Sequence, residues 1–131
     1  MSDRPSSDPQ PWIVLDVDFG AGFFEFVLAN IGTSVAHDIT VSFSRKVIGA
    51  GGKSVTALPI FDQLRTLRPG KEVRIFIDSA VNLFRRRKTN VFGATVRWCD
   101  TSGEQYKATY RHDLDIYRGL PQVAPTGPND A

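Results

Sequence analysis

A two-residue hydrophobic period recurs in six separate segments of this chain, and it limits the fold more than any other feature. Ile13, Leu15 and Val17 alternate with Val14, Asp16 and Asp18. Phe24, Phe26 and Leu28 alternate with Phe23, Glu25 and Val27, and Ile39, Val41 and Phe43 with Asp38, Thr40, Ser42 and Ser44. Val73, Ile75 and Ile77 interleave with Glu72, Arg74, Phe76 and Asp78, and Phe92, Ala94, Val96 and Trp98 with Gly93, Thr95 and Arg97. The last segment runs Tyr106, Ala108, Tyr110, His112, Leu114 and Ile116 against Lys107, Thr109, Arg111, Asp113 and Asp115. Successive side chains of a strand point to opposite faces, so each segment predicts a strand with one core face and one wetter face. A helix would repeat its apolar residues three and four apart, and none of these segments does.

Turn chemistry separates the segments. Phe19-Gly20-Ala21-Gly22 joins the first two, and Asp100-Thr101-Ser102-Gly103 the last two. In Arg68-Pro69-Gly70-Lys71, proline presets φ and glycine relaxes the next position. A further short strand is expected near Leu64–Leu67, and one helical turn around Ala80 to Phe84. Residues 45–63, with Gly49, Gly51, Gly52 and Pro59, read as a long connection. About seven short strands in some hundred residues predict an all-β fold, an immunoglobulin-like antiparallel β-sandwich. The expected core is Trp12 or Ile13, Leu15, Val17, Phe24, Phe26, Leu28, Ile39, Val41, Phe43, Leu67, Val73, Ile75, Ile77, Val96, Trp98, Tyr106 and Tyr110.

Six of the eight prolines lie in residues 1–11 and 119–131. These segments carry too little apolar surface to offset their ordering entropy and are expected to be flexible tails around a sandwich at 12–118. The single cysteine, Cys99, excludes an intrachain disulfide and a cysteine-based zinc cluster. With no secretory leader and no long apolar run, a cytoplasmic location is expected. The formal net charge is +2 over 131 residues. Arg85, Arg86, Arg87 and Lys88 account for all the positive excess of residues 12–118, so the basic character is local.

The segment Asn30-Ile31-Gly32 through Ala36 to Ile39-Thr40-Val41 resembles the Asn-x-Gly-x-x-x-Ala-x-x-Val-x-Val pattern of bacterial Ig-like adhesion and interaction domains, of which the CARDB type is one group. Leu67-Arg68-Pro69-Gly70 is similar to their Leu-x-Pro-Gly turn, and Trp98-Cys99-Asp100 through Gly103 to Tyr106 to their last hairpin. The resemblance implies the sandwich fold and a role as a binding or spacer module. It carries no catalytic residues and no cofactor.

Several residue groups invite chemistry. Gly49-Ala50-Gly51-Gly52-Lys53-Ser54 suggests a phosphate loop, but Val47 stands where the first glycine is needed, and the residues that follow favour extended chain. The aspartate pairs Asp16/Asp18 and Asp113/Asp115 could hold a hard cation only if they converged, and solvated strand faces are the simpler reading, with no metal expected. A nucleophilic set needs a histidine within reach of Cys99, and no strand order that can be established from the sequence brings His37 or His112 near it. Two surface features remain. Arg85, Arg86, Arg87 and Lys88, following Phe84, form a candidate anion or partner site for nucleic acid or anionic lipid. Phe23 and Phe76 lie opposite the assigned core faces: exposed on adjacent strands they would make a partner patch, buried they would fill a second core layer. The expected function is therefore a non-catalytic protein-interaction module, with homodimerisation through an edge strand as one form of it. The alternative is an anion-binding module acting through residues 85–88.

Overall fold

Every alternating segment forms a strand, and the computed structural model describes them within residues 9–86 and 90–119. The strands are β1 (Ile13–Gly20), β2 (Phe23–Asn30), β3 (Ala36–Phe43), β4 (Leu64–Leu67), β5 (Glu72–Ser79), β6 (Val91–Cys99) and β7 (Gln105–Asp113); a short helix, α1 (Ala80–Arg86), follows β5. They build a three-stranded sheet in the order β1-β2-β5 and a four-stranded sheet in the order β4-β3-β6-β7, with every pairing antiparallel. This is the predicted immunoglobulin-like sandwich of seven strands. Most of the two expected tails lies outside the described residues, as do Arg87 and Lys88. Gln10 and Pro11, assigned by composition to the first tail, belong to the packed body: the Gln10 carbonyl accepts from Thr33 N at 2.8 Å and Pro11 is buried.

The core lies between the sheets. Phe26, fully buried, sets its ring against Phe43, Phe61 and Phe92 at 5.5, 5.8 and 5.8 Å. Of Trp12 and Ile13, Ile13 is the core residue; Trp12 is 45% exposed and meets Trp98 edge-on. Val73, Ile75, Tyr106 and Tyr110, expected inside, are only partly buried against the core. The connection from 45 to 63 is more than a loop. It forms three 3₁₀ turns, at Ala50–Gly52, Val55–Ala57 and Pro59–Phe61, and it buries Val47, Val55 and Phe61. A Cβ at Gly49 would overlap the Ile77 carbonyl oxygen, so the absence of a side chain there lets the connection lie against β5.

The alternation fails at three places, each for a local reason. Between Phe24 and Glu25 the β2–β5 register passes from Asp78 to Phe76. This bulge turns both Ile77 and Asp78 inward, so Asp78, expected on the wet face, is 1% exposed. A second bulge, between His37 and Thr40, carries Asp38 at φ 52°. The last strand stops at Asp113 instead of running to Ile116. The Asp113 carboxylate accepts from Asp115 N at 2.9 Å and starts a 3₁₀ turn that buries Leu114 and exposes Ile116.

Side chains close the open edge of β1. Trp98 Nε1, Tyr110 Oη and His112 Nε2 donate to the carbonyls of Pro11, Ile13 and Leu15 at 3.3, 2.8 and 2.9 Å. Alternate carbonyls along one edge thus receive donors from the four-stranded sheet where a neighbouring strand would supply them, which makes this edge a poor template for pairing.

Candidate functional site

The residues that carry the sequence motifs are engaged in holding the fold. Asn30 is buried; its Nδ2 donates to the Ser34 and Leu67 carbonyls at 2.9 and 2.8 Å, and its Oδ1 accepts from Trp12 N and Gly32 N at 3.2 and 2.9 Å. Gly32 must be glycine, because a Cβ would overlap the Gln10 carbonyl and sit 2.8 Å from Pro11 C. In the last hairpin, Asp100 accepts from Ser102 Oγ, Glu104 N and Tyr106 Oη at 2.7, 2.9 and 3.0 Å. The Ser102 hydroxyl above all holds the Asp100 carboxyl below the usual carboxylate range. Tyr106 stacks on Trp98 with centroids 5.7 Å apart, and desolvation pushes its phenol above the ordinary value.

The aspartate pairs do not form a cation site. Asp18 is held by Arg74 at 2.6 Å, while Asp115 turns to Asn90 Nδ2 and Arg118 at 2.9 and 3.2 Å. Among the described residues, no group of three or more His, Cys, Asp or Glu side chains is placed to hold a metal. The glycine-rich segment 49–54 leads into a 3₁₀ turn rather than an α-helix, and Ile48 bridges Ser54 across it. The pairing of β3 with β6 does set His37 directly opposite Cys99, a proximity the linear order conceals. His37 Nε2 lies 3.2 Å from Thr101 Oγ1.

Of the basic run, Arg85 is exposed on α1, and Arg86 closes the helix. Phe84, expected to accompany the run at a binding surface, turns inward: it packs edge-on against Phe24 at 5.6 Å and carries the Arg118 guanidinium 4.4 Å above its ring.

Phe23 and Phe76 do come together. They stand on adjacent strands of the outer face of the β1–β2–β5 sheet, ring centroids 5.6 Å apart, with Phe76 51% exposed and Phe23 half-buried. Around them the outward positions are Asp16, Asp18, Glu25, Glu72 and Arg74. Arg74 binds three of these carboxylates, Asp18 and Glu25 at 2.6 Å and Glu72 at 2.7 Å, which raises its own already high pKa. Four carboxylates around one guanidinium leave this face acidic. Val27, buried beneath these polar side chains, gives it an apolar floor.

The outer face of the other sheet has the opposite sign. Arg97 of β6 pairs in register with Lys107 of β7, and Arg111 pairs with Gly93. Thr95 and Thr109 lie between them, their hydroxyls 3.3 Å apart. Arg97 and Lys107 border a shallow hollow of about 430 Å³, with Asp38, Cys99 and Gln105 on its other sides. Sequence reasoning named Arg97, Lys107 and Arg111 as outward positions but not as a group, because their adjacency comes from strand pairing.

Fold and surface together define an all-β sandwich domain with two outer sheet faces of opposite charge. The chain belongs to the family described as Domain of unknown function (DUF8453), whose pattern matches residues 3–118. No curated protein and no solved structure matches it. Among the described residues, no helix is long and apolar enough to cross a membrane.

Proposed function

We propose that this domain is a non-catalytic protein-interaction module that presents the outer face of the β1–β2–β5 sheet to a protein partner. The observation that carries the reading is the Phe23–Phe76 pair: two aromatic rings in contact on a solvent-facing sheet surface, with charged side chains around them. Aromatic anchors inside a polar rim are the usual energetic centre of a protein interface. The likeness of the Asn30–Val41 segment to bacterial Ig-like interaction domains supports the same role. So does the engagement of Asp100, Asp115 and His112 in bonds that hold the fold.

Photo-crosslinking tests this reading. The photo-reactive analogue p-benzoylphenylalanine replaces Phe76 in the full chain, expressed in its native host. The same analogue replaces Ile31, 65% exposed just beyond the other end of β2, as the control. A discrete crosslinked protein from position 76 and none from position 31 is the expected result. Equal or absent crosslinking at the two positions would reject the module's assignment to this face.

A further inference from the structure

We infer that copies of this domain stack face to face, the basic outer face of the β4–β3–β6–β7 sheet of one copy seated on the acidic outer face of the β1–β2–β5 sheet of the next. The inference rests on the proposed interaction role and names the partner as a second copy of the chain.

The first observation is an uncompensated like-charge pair. Arg97 and Lys107 are direct register partners, and like charges directly opposite one another across an antiparallel pair destabilise it. Arg111 stands four residues beyond Lys107 on the same face, about 13 Å along the strand. Among the described residues, no carboxylate lies within ion-pair distance of these three cations. Asp38, on the edge of the hollow, is closest to Arg65 at 3.9 Å, and Asp113, at the end of β7, caps Asp115 N.

The second observation is the complementary face on the same molecule. Asp16, Asp18, Glu25 and Glu72 surround the single Arg74, a surplus of three carboxylates, against Arg97, Lys107 and Arg111 on the other face, where the outward Asp113 leaves a surplus of two cations. Both faces are pleated sheet surfaces able to approach as sheets in a sandwich do. The basic face carries Thr95 and Thr109 between its cations and Thr40 and Ser42 beside them, and it has no outward Phe, Tyr or Trp in β3, β6 or β7. It therefore lacks the stacking platform on which a single-stranded nucleic acid binds, and an acidic sheet surface suits it better. The two faces differ, so the contact is heterologous and continues from copy to copy unless it closes into a ring.

Sedimentation velocity on the full chain tests the inference, with two surface variants and their mixture. R97E/K107E makes the basic face acidic. D16N/E72K brings the acidic face to neutrality while leaving Asp18 and Glu25 on Arg74. The wild type is expected to associate as concentration rises toward about 1 mM at low ionic strength. It should dissociate in about 1 M salt, where the screening length falls to ~3 Å. Each variant alone stays monomeric. Their equimolar mixture forms a dimer of twice the monomer mass and nothing larger, because each contributes one intact face. The dimer also shows that both variants are folded. A wild type that stays monomeric at low salt, association that survives in R97E/K107E, or a mixture that stays monomeric would each overturn the inference. A crosslink from position 76 to a different protein, with the wild type monomeric, would reject self-stacking and leave the interaction role standing.

Discussion

Asn30 shows how a single side chain can tie distant parts of a chain together. Its amide serves the backbone at Trp12, Gly32, Ser34 and Leu67, so it joins the start of β1, the β2–β3 link and the end of β4. Asn30→Ala leaves several of these groups without a partner in a buried place, each costing about 1–3 kcal/mol if water cannot reach it. The expected loss is on the order of 2–5 kcal/mol, read from urea denaturation. A loss under about 1 kcal/mol would mean that water replaces the amide. Asn30 and Gly32 are recognisable in the sequence as a link motif. Their physical purpose is not, because Asn30's partners Trp12 and Leu67 lie 18 and 37 residues away. Asp100 is different: its partners Ser102, Glu104 and Tyr106 are all within six residues, so the hairpin's polar knot is written locally.

At the scale of elements, the β1–β2 hairpin turns through Ala21 and Gly22, both at positive φ, 53° and 86°. Two-residue turns of this kind favour Asn-Gly, because an alanine in the left-handed region places its Cβ against the following carbonyl. Ala21→Asn should stabilise the domain by about 0.5–1 kcal/mol, seen as a higher denaturation midpoint with an unchanged slope. An unchanged or lower midpoint would show that the turn is not strained. The strands themselves were readable because each carries its own alternation. The bulges were not. Ile77 and Asp78 are both buried because β5 slips by one residue against Phe24 and Glu25 of β2, and no pattern within β5 announces the slip. The end of β7 departs from its pattern for a related reason: Leu114 and Ile116 continue the period, but the Asp113 cap diverts the chain into a 3₁₀ turn.

For the whole molecule, the 45–63 connection is a third contributor to the core alongside the two sheets. Phe61 is buried and meets Phe43 and Phe26 at 5.0 and 5.8 Å, both edge-on. Phe61→Ala is expected to cost about 3–5 kcal/mol in a single cooperative unfolding transition. A cost below about 1 kcal/mol would show that the connection is dispensable to the sandwich. The candidate surfaces belong to this scale too. Phe23 and Phe76 each read as an outward residue on its own strand, and so do Arg97, Lys107 and Arg111. What places ring beside ring and cation opposite cation is the order of strands and their register. The amino-acid sequence by itself determined that about seven strands form and, away from the bulges and the end of β7, which side of each faces inward, because alternation is a local property of an extended backbone. Only the tertiary structure decided which strands are neighbours, where the register slips, that the long connection enters the core and that the two outer faces carry opposite charge. Those outcomes depend on pairing between residues dozens of positions apart, and the lowest free energy of that pairing is a property of the whole packed chain.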